Sequence, residues 1–129
     1  MTSTGKPGLV LVDDEPAIAE LFAAWLARSF RVARFSRPQE ALDYLQRREA
    51  AILVTDLAMP GMNGLELIHR ARRLRPELRA LLLSGMVFTL DQEQTARTLE
   101  QVDMVLCKPV HPRQLEECCR RLLATPEEP

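Results

Sequence analysis

No apolar run in the 129-residue chain approaches the ~20 residues that a membrane-crossing helix needs. The opening Met1-Thr-Ser-Thr-Gly-Lys-Pro-Gly8 also lacks the apolar centre of a secretory signal, so cytoplasmic residence is the expectation. Net charge is nearly absent. With 17 basic and 18 acidic side chains the balance is -1, and no overall field recommends nucleic acid or an anionic membrane as a direct partner. Cys107, Cys118 and Cys119 are odd in number and lack metal-site spacing, which argues against a disulfide framework or a zinc site. No aromatic residue or second basic element accompanies the run Arg70, Arg72, Arg73, Arg75 and Arg79. That run therefore reads as a solvated helix face and not as a nucleic-acid site.

What the chain does contain is alternation. Gly8 to Val12, Phe30 to Phe35, Ala51 to Thr55, Ala80 to Leu83 and Met104 to Cys107 are short, apolar and bounded by turn residues, as parallel strands are. The second, which mixes in Arg31 and Arg34, suits an edge. Between them lie helical periodicities. Ile18, Leu21, Phe22, Trp25 and Leu26 are predicted to form the inner face of the first helix, with Trp25 in the core. Ser36 and Gln39 have the spacing of a capping box before Ala41, Leu42 and Leu45. Leu65, Ile68, Ala71 and Leu74 face inward on a third helix that Pro76 stops. A weak helix from Thr89 or Asp91 to Gln101 should be the least stable. A last one opens at Pro112 with Leu115, Cys118 or Cys119, and Leu122 inward.

Strand then helix, five times over, predicts an α/β fold: a doubly wound five-stranded parallel sheet, (βα)5, in the flavodoxin-like order 2-1-3-4-5. One domain is expected over residues 8–124, between flexible tails at 1–7 and 125–129.

The strands deliver their reactive residues to one edge. Asp13 and Asp14 leave the first strand, Asp56 the third, Ser84 the fourth and Lys108 the fifth, beside the switch point between strands 1 and 3. A lone strand-end Asp is more often a helix cap or turn residue. Three carboxylates held close, however, repel one another unless a cation joins them, and hard oxygen donors suit Mg2+. Asp56 is then the candidate nucleophile for an aspartyl phosphate. Lys108 and Ser84 would meet charge on the phosphoryl oxygens. His69 and His111 fall on surface segments and are expected to be bystanders.

Val12-Asp13-Asp14-Glu15-Pro16, Asp56 with Met59-Pro60-Gly61 and Gly64, Ser84-Gly85 and Lys108-Pro109 together resemble the receiver domain of two-component response regulators, over residues 8 to 123. The resemblance implies that Asp56 accepts phosphate from phosphohistidine on a sensor histidine kinase or histidine phosphotransfer protein. It implies Mg2+ held directly by Asp14, mainly through water by Asp13, and by Asp56 and the backbone carbonyl of Ala58. It also implies a cis Lys108–Pro109 bond. Such a domain is not a turnover enzyme. It would signal through a face made of Ser84, helix 4, strand 5 and helix 5, to a downstream target protein or a detached output domain, as a monomer or a weak phosphorylation-dependent dimer.

Three positions depart from the family pattern. Val105 stands where an aromatic ring is common, so signalling is expected to travel through residues 85 to 101 instead. Ala58 and Met86 cannot orient a hydrolytic water, so slow loss of the phosphoryl group is expected. A haloacid-dehalogenase-like phosphatase would need an acid at Ala58. A flavodoxin-like carrier would meet repulsion between Asp13-Asp14-Glu15 and a flavin phosphate. The stronger rival is a degenerate receiver that binds proteins independently of phosphorylation.

Overall fold

The computed structural model describes residues 5–85 and 100–124. Five parallel strands, β1 (Gly8–Val12), β2 (Arg31–Phe35), β3 (Ile52–Asp56), β4 (Arg79–Ser84) and β5 (Met104–Cys107), form one sheet in the order β2-β1-β3-β4-β5. The described helices are α1 (Pro16–Leu26), α2 (Pro38–Arg47), α3 (Gly64–Leu74) and α4 (Pro112–Ala124). The helix expected from Thr89 or Asp91, together with Met86, lies outside the described residues except for its helical end at Glu100 and Gln101.

Successive side chains of a strand point to opposite faces, and both faces here are covered. Val10, Val12, Leu53, Ala80 and Leu82 pack under α2 and α3, against Leu42, Leu45, Leu67 and Ile68. Leu9, Leu11, Ile52, Val54, Leu81 and Leu83 pack under α1 and α4, against Phe22, Leu26, Leu115 and Leu122. β1 and β3 are buried at every residue, which is why they read as continuous apolar runs. β2 is an edge with exposed Arg31 and Arg34, as its composition predicts.

Several local expectations are corrected. On α1 the buried arc is Ala19, Phe22 and Leu26, while Ile18 and Leu21 are 38% and 50% exposed. Alanine lets the helix lie close to the sheet, and a reading by large apolar side chains rotates the buried face toward solvent. Trp25 is half-buried and not in the core. It meets His111 edge-on at 6.0 Å between ring centroids, with the Arg28 guanidinium 5.0 Å over its face.

The capping box at Ser36 does not form. Arg37 is the residue before α2, without a side-chain cap, and Gln39 donates to Asp43 Oδ1 instead. Pro38 starts the helix one residue later than the pattern implies, because its fixed φ suits the first helical position. Asn63 does cap α3, accepting from the Glu66 amide at 2.9 Å. On α4 it is Cys119 that is buried, together with Glu116, which accepts from Ser29 Oγ at 2.5 Å.

The arginine run is partly structural. Arg70 pairs with Glu66, but Arg75 Nε donates to the Leu45 carbonyl at 2.8 Å and Arg79 to that of Leu122 at 3.1 Å. Arg72 donates to the Leu78 carbonyl and to Asp103. At the amino end, Lys6 Nζ donates to the Ala27 carbonyl and the Pro7 carbonyl accepts from the Arg31 amide.

Candidate functional site: an acidic cluster at the carboxyl edge of the sheet

Parallel strands end at the same edge, so the residue that follows each strand is brought to one place by topology alone. Asp13 leaves β1 and is 1% exposed. Its amide donates to the Phe35 carbonyl, and its Oδ1 accepts from the Glu15 amide at 2.9 Å, a local turn that fixes the carboxylate. Asp14 beside it is exposed. Asp56 is the last residue of β3 and is 5% exposed. Carboxylate oxygens of Asp13, Asp14 and Asp56 all lie within 4.8 Å of one another.

Lys108 follows β5 and reaches across the edge, its Nζ 2.7 Å from Asp56 Oδ1. The Lys108 amide donates to the Ser84 carbonyl at 3.0 Å, and the Lys108–Pro109 peptide is cis. Ser84, buried, ends β4 in register with Cys107 and one residue beyond the level of Asp56. The β3–α3 loop is closed by the Gly64 amide on the Leu57 carbonyl and turns at Gly61, where φ is 82°. Ala58 lies exposed in it. His69 and His111 are both exposed, and His111 Nδ1 accepts from the Arg113 amide.

The electrostatics are those of carboxylates crowded at a buried edge. Burial pushes the Asp13 carboxyl above its ordinary value, and the Asp56 and Asp14 charges add to this against the Glu15 amide and Lys108. Burial pulls the Lys108 ammonium down, but the hydrogen bond and charge of Asp56 outweigh it and the net direction is up. Asp13 Oδ2 is buried with no hydrogen-bond partner among the described residues. A buried carboxylate oxygen is rarely left so. Three convergent carboxylates, one with an orphaned oxygen, fit a hard divalent cation.

Of the residues singled out from sequence, Asp13, Asp14, Asp56 and Lys108 are therefore assembled, and Ser84 ends the neighbouring strand on the same edge. Gly64, named in the motif with Asp56, holds the loop against the site. A Cβ there would overlap the Asp56 carbonyl oxygen and come within 2.9 Å of Leu82 Cδ1, so the need for glycine follows from a loop packed on β3.

A doubly wound sheet with an acidic cluster and a lysine at its carboxyl edge defines a receiver-type α/β domain. The chain belongs to the response regulator receiver domain family, whose model matches residues 9–120, and is thus a receiver of two-component signalling. It is 35% identical over 120 residues to response regulator Rre1 of Synechocystis, an alignment covering 90% of this chain and 51% of that protein. It is 32% identical to the cyclic di-GMP phosphodiesterase response regulator RpfG of Xanthomonas campestris, over 89% of this chain and 31% of that one. The chain thus spans about half or less of these two relatives. The receiver protein CpdR of Brucella abortus, 29% identical, is matched over 89% of this chain and 94% of its own length. Among solved structures, a CheY-like receiver from Methanospirillum hungatei superposes with a TM-score of 0.81 at 25% identity, covering 93% of this chain and 96% of that one. The BeF3-activated DrrB receiver domain shares the fold at 0.81 and 24%, over 94% of this chain and all of that one.

Proposed function

We propose that Asp56 accepts a phosphoryl group from phosphohistidine on a sensor kinase or phosphotransfer protein. The observation that carries this reading is the Lys108–Asp56 pair at 2.7 Å inside a cluster whose Asp13 Oδ2 has no partner among the described residues. An Asp56 carboxylate oxygen forms the new bond to phosphorus, while the bond to the donor nitrogen breaks and its electron pair leaves with the imidazole. Lys108, already at Asp56, follows the charge onto the phosphoryl oxygens, and Ser84 donates a second hydrogen bond there. Asp13, Asp14, Asp56 and the Ala58 carbonyl would hold Mg2+. When bound, it supplies positive charge against the repulsion of three carboxylates and an incoming phosphoryl group.

The output is a change in the face around Ser84, β5 and α4, read by a target protein or a detached output domain. The domain acts in the cytoplasm as a switch, not a turnover enzyme, and alone or as a weak phosphorylation-dependent dimer. Ala58, whose methyl group cannot orient water, favours a long-lived phosphorylated state.

Intact mass after incubation with a small acyl phosphate, with and without Mg2+ and beside Asp56→Asn, tests this reading. A Mg2+-dependent gain of one phosphoryl group, absent in the variant, is expected. No gain with the acyl phosphate or with a phosphohistidine donor would leave a binding module that works without phosphorylation.

A further inference from the structure

The amino edge of the sheet lies a strand length, about 16 Å, from the acidic cluster. Strands enter there and helices run out there, and both bring cations. Lys6 stands just before β1, Arg31 and Arg79 open β2 and β4, and Arg28, Arg48 and Arg75 follow α1, α2 and α3. Against them stand Glu49 and Glu77. Six positive charges to two negative, on a chain whose balance is -1, make this edge attractive to an anion.

A groove of about 400 Å3 opens in the middle of the edge, within the range of small-molecule sites. Three kinds of surface line it. Arg31 and Arg79 supply guanidinium groups held by main-chain carbonyls, Arg31 Nη1 donating to Lys6 at 3.2 Å and Arg79 Nη1 to Leu122 at 3.1 Å. The other N–H groups of Arg31 have no acceptor among the described residues. A Cβ on Gly8 would come within 2.8 Å of Arg31 Nη2, so glycine is what lets that guanidinium lie across the start of β1. Glu49 and Glu77 supply exposed carboxylates with no partner among the described residues, and Ala50, Ala51 and Leu123 supply an apolar wall.

A guanidinium fork matches the oxygens of a phosphoryl group. A bare phosphate would also meet the two carboxylates, which are satisfied only by a ligand that donates hydroxyl or amino hydrogens as well. The apolar wall suits a ring. We propose that this groove binds a nucleoside monophosphate. Its phosphoryl group lies on Arg31 and Arg79, its sugar hydroxyls or base amino group on Glu49 and Glu77, and its base against Ala50, Ala51 and Leu123. No covalent bond forms or breaks. Because Leu123 belongs to α4, occupancy ties the last turn of that helix to the starts of β1, β2 and β4. Binding is independent of whether Asp56 accepts phosphate.

NMR titration of AMP and GMP into the isotope-labelled chain tests it, with a chelator present to keep divalent cations from the acidic cluster. Amide shifts are expected at Gly8, Arg31, residues 49–51 and 77–79 and Leu123, with a dissociation constant on the order of 0.1 mM. Ribose 5-phosphate, which lacks the base, binds about fivefold more weakly, and adenosine, which lacks the phosphoryl group, about tenfold more weakly.

Arg31→Gln raises the constant for AMP about fivefold, and the increase shrinks with added salt. Arg31→Lys, which keeps the charge without the fork, recovers part of it. Glu77→Gln has no partner to lose in the folded chain. It weakens AMP about threefold while tightening inorganic phosphate, because an acceptor and a negative charge leave together. Arg113→Gln, at the opposite end of α4, changes nothing.

Shifts confined to the acidic edge, adenosine or inorganic phosphate binding as tightly as AMP, or equal affinity of Arg31→Gln and wild type would overturn the proposal. So would the absence of any shift up to about 5 mM, far above the expected constant. None of these outcomes bears on phosphorylation of Asp56. If Arg31→Gln melts early, the Glu77 variant and the salt series decide.

Discussion

Lys108 Nζ lies 2.7 Å from Asp56 Oδ1, although the two residues stand 52 positions apart and leave strands that are not neighbours. β4 lies between them, and the ammonium crosses the edge beyond Ser84 to reach the carboxylate. The pair joins the carboxyl ends of β3 and β5, so a change in the charge at Asp56 is felt at once by the β5–α4 connection. Its titration has a definite sign. The Lys108 ammonium is raised above its ordinary 10.5, so its contribution to stability is full below that value and is lost as pH climbs through the higher folded one.

Asp13→Asn keeps an acceptor for the Glu15 amide but removes one charge from the cluster. Without a divalent cation the variant is expected to melt at or above the wild-type temperature, because the buried charge that burial first, and then the Asp56 and Asp14 carboxylates, disfavour is gone. With millimolar Mg2+ the order reverses, since a ligand that binds only the folded wild type stabilises it. Melting curves of both proteins with Mg2+ and with a chelator check the reversal. Parallel curves in the two conditions would refute it.

Gly64→Ala places a methyl group against the Asp56 carbonyl oxygen, 2.9 Å from Leu82 Cδ1 and 3.0 Å from Leu57 Cα. Two of these three atoms are backbone and cannot swing aside. A loss of about 1–3 kcal/mol is expected in urea unfolding, together with slower phosphorylation, because the shift is transmitted to Asp56.

Asp103 Oδ2 accepts from both the Ala80 amide and Arg72, joining the start of β5 to β4 and α3. Asp103→Ala leaves a buried amide without a partner and frees Arg72. Destabilisation of about 1–3 kcal/mol is expected by denaturant titration. Asp103→Asn, which retains an acceptor, should recover the larger part.

The three thiols should separate by exposure. A soluble alkylating reagent is expected to label exposed Cys107 first and Cys119 only on unfolding. Burial, with the neighbouring Cys118 and Glu116, pushes the Cys119 thiol from 9.0 up to about 12. The folded state therefore keeps a proton that the unfolded chain releases, and stability is lost as pH rises across that window. Urea midpoints of the wild type should fall more steeply there than those of Cys119→Ala.

Much of the architecture was legible because it follows from short-range rules. Five apolar runs bounded by turns are strands, periodic segments between them are helices, and right-handed crossovers leave few topologies. The acidic cluster was legible for the same reason, because in a parallel sheet Asp13, Asp56 and Ser84 reach one edge whatever the details of packing. Tertiary structure decided the rest. Which arc of α1 is buried depends on how closely Ala19 lets the helix approach β1, so Ile18 and Leu21 could not be placed from hydrophobicity. Whether Arg70, Arg72, Arg75 and Arg79 are solvent-facing or bound to carbonyls depends on which chain ends lie within a side chain's reach. The start of α2, the partner of Lys108 and the orphaned oxygen of Asp13 are likewise distances between elements remote in sequence. The pattern of residues determines which groups arrive at the edge, and only packing determines which of them touch.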